Sequence, residues 1–266
     1  MDLESGEVIW VGKGRSKNDF AKFFEETDPA FLSTVMAVAM DMNASYNTLV
    51  EKYLPDAKIV YDRYHMQAQF GKEVLGVVRL EEARKHKAAS TSILASIDEH
   101  TEKETRIEKK TLAKAEKSQY TELKRLRWSL LKNSSKLSDR GSEHLKSILD
   151  SHADLAVCYA MKEEMIRLFE LSDEQEAYSG WTQWFDAAKA SGVPALVRFA
   201  ELKEKRIAGL AAHASFQIST GKLEGFNNKI KVAKRIGYGY RNDDFFFSLI
   251  RFLSLSAVRG QSHNFP

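Results

Sequence analysis

The chain has 266 residues, 43% hydrophobic and 29% charged, with four prolines and a formal net charge of +3. This composition suits one large or two modest folded domains and excludes a disordered chain. Its single cysteine, Cys158, excludes an intrachain disulfide and a cysteine-rich zinc site, and no apolar run approaches the length of a membrane span.

Met1-Asp2-Leu3-Glu4 lacks the basic and apolar parts of a signal peptide, so a cytoplasmic location is expected. Val8-Ile9-Trp10-Val11, between Gly6 and Gly12, reads as a short strand. A turn at Lys13 to Ser16 leads to a helix over Asp19 to Glu25, with Phe20, Phe23 and Phe24 on its inner side. After Pro29, the run Thr34 to Met40 is continuously apolar, as in a strand covered on both faces, and stops at Asp41. Ala44 to Tyr53 has helical spacing and is closed by Pro55; Ala57 to Tyr61 is the next strand. Strand, helix and strand over so short a span make a parallel βαβ unit. Chemistry gathers at the carboxyl edge of such sheets, where Asp41 and Asp62 both fall.

From Met66 the texture becomes helical, without a convincing strand to about residue 215. Residues 101–132 read as a long exposed helix, one half of a hairpin, and residues 101–140 carry twelve Lys/Arg against six acids. Further helices begin near Ser138, Asp154, Asp173 and Val193. Trp181 and Trp184, three apart beside Phe185, either pack in a core or stack on bases.

Ser219 or Thr220 then opens a helix in which Leu223, Phe226, Ile230 and Ala233 form a narrow apolar stripe. Glu224, Asn228, Lys231 and Arg235 form a polar stripe at the same steps. Residues 221–241 hold six Lys/Arg and one acid, so Glu224 is a lone carboxylate in a basic field. A carboxylate holding a metal ion while its neighbours receive a polyanion fits this pattern; so does a basic surface helix with one stray glutamate. The chain closes with an apolar, buried helix from Asp243 to Leu253.

Asp41 has two readings, metal ligand or cap of the following helix, a role Asn43 can also take. Carboxylates converging on a sheet edge suit a pair of Mg²⁺ ions acting on a phosphodiester. Asp62 is a further ligand, an orienter or a cap, and His65 a proton donor, a phosphate contact or simply a first-turn residue. The other six histidines show no metal spacing, and no phosphate loop, nucleophile elbow or dinucleotide fingerprint is present.

Together, Val8 to Arg15, Met40-Asp41-Met42 with Tyr46, Tyr53 to Ala57, Asp62-Arg63-Tyr64-His65, Lys222 to Lys231 and Gly237 to Asn242 resemble the DDE-type insertion-sequence transposases of the ISL-three family. The resemblance implies an α/β chain. An RNase H-like core over residues 1–65 and 216–266, with its first strand missing, would be interrupted by an all-α insertion over 66–215. It implies DNA cleavage and strand transfer on Mg²⁺ or Mn²⁺, with Asp41 and Glu224 as metal ligands, and Asp62 and His65 as further catalytic candidates. Lys222, Asn228, Lys229, Lys231, Lys234, Arg235 and Arg241 would contact the DNA of transposon ends and target, in a nucleoid-associated bacterial protein. The family's first catalytic aspartate lies upstream of the stretch resembling Met1 to Glu4. The expectation is therefore a C-terminal catalytic portion, inactive alone, whose open sheet edge favours a homo-oligomer. The alternative is a non-catalytic DNA-binding or oligomerisation module of transposase descent.

Overall fold

The computed structural model describes residues 1–218 and 221–255. The chain divides into two compact units, one drawn from residues 1–63 and the described residues from 208 onward, the other Tyr64–Ile207.

In the first unit, α1 (Lys17–Glu26) is started by a reciprocal cap between Ser16 and Asp19. After α2 (Pro29–Leu32) come β1 (Ala37–Met40), α3 (Ala44–Tyr53) and β2 (Lys58–Tyr61). The strands pair in parallel, Ala37 opposite Lys58 through Met40 opposite Tyr61, with α3 as the crossover. Phe24, Leu32, Leu49, Val50 and Leu54 form the core between α1 and α3.

Three expectations change here. Val8 to Val11 forms no strand and joins no ladder. The run is held by packing instead: the Trp10 ring meets Phe23 edge-on at 5.9 Å, its indole N–H donates to Glu26, and the Val8 amide donates to Ser254. β1 is half-buried at all four positions, not covered on both faces, because it borders an open cleft of about 1250 Å³. With only two strands among the described residues, the sheet does not establish the RNase H-like core; what stands is a small parallel βαβ unit in a mostly helical chain.

The second unit is helical. It contains α4 (Arg63–Phe70) from its second residue, a π-helical turn (Gly71–Leu75), α5 (Gly76–Ala95) and α6 (Lys103–Arg125), which pack as a hairpin. There follow α7 (Arg127–Leu131), α8 (Asp139–Leu149), α9 (Ala153–Leu168), α10 (Glu174–Ala190) and α11 (Pro194–Glu204). Trp181, Trp184 and Phe185 on α10 are buried against Phe169, Phe70 and Phe199, so the packing reading of the tryptophans holds. Asp173 caps α10 by accepting from the Glu176 amide.

Two polar devices tie these helices. The buried Lys162 ammonium donates to the carbonyls of Leu130 and Lys132, satisfying the end of α7, and burial pushes its pKa below the ordinary lysine value. His86 on α5 stands 2.6 Å from the Glu116 carboxylate on α6 and 3.1 Å from His152, whose Nδ1 reaches the Ile148 carbonyl.

Cys158 is fully buried on α9, and burial pushes its thiol up to about 12. The thiolate is the reactive form, so the native chain should resist iodoacetamide at pH 8 and become fully labelled after unfolding in urea, read by mass spectrometry.

The chain returns to the first unit within α12 (Ile207–Ala211), then forms α13 (Gly221–Ile236) and α14 (Asp243–Ser254). Asn242 caps α14, but the helix is not buried as expected: Phe245 and Phe252 are exposed and only Ile250 and Ser254 are buried. Its aromatics fall on several sides, more than one packed face can cover. Among the described residues no helix is long and apolar enough to cross a membrane.

Candidate active site

The register of the sheet sets the first part of the site. Met40 and Tyr61 are the last paired residues, so Asp41 and Asp62 leave neighbouring strands at the same carboxyl edge. Asn43, not Asp41, caps α3 by accepting from the Ser45 amide. The Asp41 carbonyl accepts from the Asn43 amide, and the residue is exposed. The capping reading of Asp41 is thereby displaced.

Asp62 is different. It is only 1% exposed, and a buried carboxylate requires partners. His213, also buried, lies in the fields of Arg63 and Asp62; burial first, then Arg63, pushes its pKa below the ordinary histidine value, against the opposing pull of Asp62. Gly209 permits this arrangement. A Cβ there would stand 2.5 Å from the Tyr61 ring and 3.1 Å from the Ile59 carbonyl, so only glycine lets α12 approach β2 this closely. His213 follows about one turn later. His65 is half-buried on α4 and falls in the helical unit.

The second part is α13. Its apolar stripe behaves as the spacing requires: Phe226 is buried, and Leu223, Ile230 and Ala233 are half-buried. Glu224 sits in the first turn, where the helix dipole favours a carboxylate, and is exposed. Lys229, Lys231, Lys234 and Arg235 are exposed along the helix, and Arg241 beyond it. Lys231 donates to the Asn228 side chain at 3.3 Å. Lys222 is committed elsewhere, donating to the Leu3 and Glu4 carbonyls at 3.0 and 3.1 Å and tying the first turn of α13 to the start of the chain. Ser219 and Thr220, the expected caps, lie outside the described residues.

α13 ends on a left-handed pair, Tyr238 at φ 50° and Gly239 at φ 92°, with the Gly239 amide returning to the Lys234 carbonyl. Tyr238 is completely exposed, while Tyr240 stacks on Phe246 at 4.7 Å.

The two parts share the 1250 Å³ cleft. Met40 and Leu223 both line it, and Asp41 and Glu224 are the next residues after these wall positions. Among the described residues, no three His, Cys, Asp or Glu side chains gather as a metal cluster. The carboxylates of Asp41 and Glu224 are hard oxygen donors of the kind a divalent cation takes while retaining most of its waters. Asp2 adds none, since its carboxylate accepts from the Glu4 and Ser5 amides in the N-terminal turn.

Arg63 and His213 were missed as site residues. The signal for His213 was a lone polar residue inside the small apolar run Leu210-Ala211-Ala212-His213-Ala214, which an exposed histidine would not need.

Comparison with known proteins places the chain in a family. Residues 1–250 match a family described as transposase, of the DDE type and the ISL-three group. The chain is similar to the transposase for insertion sequence element IS1001 of Bordetella parapertussis, 31% identical over 254 residues, covering 94% of this chain and 55% of that protein. It is also similar to the transposase for insertion sequence element IS1557 of Mycobacterium tuberculosis, 26% identical over 272 residues, covering 100% of this chain and 59% of the relative. The chain thus spans a little over half the length of these curated relatives. No solved structure matches.

Proposed function

Since this chain belongs to the ISL-three family of DDE transposases, we propose that it is the C-terminal catalytic portion of a DNA transposase, built on an RNase H-like core. The observation that carries this reading is α13, a sixteen-residue helix that buries only Phe226 and leaves its cations in water, with Leu223, the residue before Glu224, lining a cleft shared with the end of β1.

Asp41 and Glu224 hold a divalent cation, Mg²⁺ or Mn²⁺, through their carboxylates. When bound, such a cation activates an attacking oxygen and stabilises the leaving oxygen of a phosphodiester. Lys229, Lys231, Lys234, Arg235 and Arg241 contact the phosphates of transposon end and target, and Asn228 orients Lys231. Lys222 positions the helix rather than the DNA. Asp62, buried at the strand end in a field shared with Arg63 and His213, is a positioning residue; His65 is a proton-donor candidate.

Fluorescence anisotropy with labelled duplex DNA tests the reading. Each phosphate contact contributes about −0.9 to the slope of log K against log salt. Replacing Lys229, Lys231, Lys234 and Arg235 together by alanine should therefore flatten the slope by about three to four. Salt-insensitive binding in the wild type, or none, would sink the proposal.

A second reading, a DNA-binding module without catalysis, is favoured by the exposed cations of α13, which can receive phosphates without a metal. In line with it, this chain alone should not nick supercoiled plasmid with Mg²⁺. Nicking that disappears in Glu224→Ala would show that the chain is a complete catalyst.

A further inference from the structure

The helical unit contains a second cationic feature, outside the cleft. Between the π-helical turn, α5 and α7 lies a cavity of about 460 Å³. Lys72, Arg79, Arg84 and Arg127 line it, and every other lining residue is apolar or glycine. No carboxylate faces it. Several cations elsewhere in this unit are paired: Lys85 with Glu82, Arg167 with Glu164, and Lys189 with Asp186 and Glu204. Among the described residues none of the four cavity cations forms an ion pair.

Arg79 shows how the cavity is built. It is 7% exposed, and its Nη1 donates to the carbonyls of Leu123 and Lys124, at 2.9 and 2.8 Å, in the last turn of α6. A guanidinium has five N–H donors in a rigid fork, so fixing one nitrogen aims the others. Burial, then the neighbouring Arg127 charge, pushes Arg79 below the ordinary arginine value. Two guanidiniums held close in an apolar-walled space, without a counter-charge, repel each other until an anion joins them. Arg127 is braced from outside by the exposed Trp128 ring, 5.1 Å away. The floor is the π-helical turn, an irregularity frequent at functional sites. At Gly71 a Cβ would meet Leu131 at 2.4 Å, so α7 closes tightly over this turn.

We propose that this cavity is a phosphate-binding site, and that its occupant is a phosphodiester of DNA held by Arg79, Arg84, Arg127 and Lys72. The identity of the occupant rests on the DNA reading above; the phosphate chemistry does not. Planar, bidentate donors select phosphate oxygens. The helical unit then grips DNA at a point separate from α13.

The test uses the whole chain with Arg84→Gln and Arg127→Gln combined. Both residues are exposed, so the fold should survive, as circular dichroism would verify. Arg79 is left intact because its removal would orphan two carbonyls. Duplex-DNA anisotropy should show the salt slope flattened by about two, additively with the α13 variant. Isothermal titration with inorganic phosphate is the second arm. If phosphate binding is lost in the double variant while the DNA slope is unchanged, the site takes free phosphate and the DNA occupant is overturned. If neither measurement changes, the site itself is overturned, and the α13 variant still decides the transposase reading. If the wild type binds no DNA, the functional reading fails and the phosphate arm alone judges the cavity.

Discussion

Trp181→Ala should lower the unfolding free energy of the helical unit by about 3–5 kcal/mol, the range for removing a large aromatic from a packed core. Trp181 is 0% exposed and touches Phe169, Trp184 and Phe185, with ring centroids 5.0–5.9 Å apart. The surrounding helices cannot collapse into the gap, because α9 and α10 already meet closely at Gly180, where a Cβ would stand 2.4 Å from Leu168. Urea unfolding followed by circular dichroism would show the midpoint fall. Tyr178→Ala, on the same helix but half exposed, should stay within about 0.5 kcal/mol of wild type. A small effect at Trp181 would mean that α10 is not the centre of this core.

The second large effect concerns the cation. Asp41→Asn and Glu224→Gln should each weaken Mn²⁺ binding by roughly 10–100-fold or more, since losing even an outer partner of a metal ligand has that effect. Electron paramagnetic resonance of free Mn²⁺ reads the affinity directly. Asp2→Asn should leave it unchanged, because that carboxylate already serves two backbone amides. DNA binding should move the other way. Removing the single acid of α13 takes a negative charge from beside the phosphates, so Glu224→Gln should bind DNA as well as wild type or better. Parallel loss of cation and DNA binding would point to damaged folding rather than a missing ligand.

The legible parts of the fold were those decided locally. α3 is bounded by Asn43 and Pro55, and the apolar stripe of α13 follows a fixed spacing; neither needs a distant partner to be recognised. Val8 to Val11 has strand composition, yet a strand exists only where another offers its hydrogen bonds, and Trp10 instead packs on α1. The run before Asp41 looked doubly covered because its residues are apolar; coverage depends on neighbours that the run does not encode. In the site, Asp41 and Glu224 stood out by position and by isolation. His213 did not, because it comes into the field of Asp62 only where Gly209 seats α12 closely on β2. The cationic cavity was invisible for the same reason: Lys72, Arg79, Arg84 and Arg127 become neighbours only when the hairpin and α7 close around the π-helical turn.

The tie from Lys222 to the Leu3 carbonyl joins residues 219 positions apart. At about 5–20 residues per second, roughly 10–45 s of synthesis separate their emergence from the ribosome. Throughout that interval the βαβ segment waits with an open strand edge and its apolar cleft uncovered, while the helical unit can already fold from local contacts. The helix carrying Glu224 is thus tied to a backbone made well before it. Slow translation or a scarce chaperone should therefore damage the unit carrying Asp41 and Glu224 before it damages the helical unit.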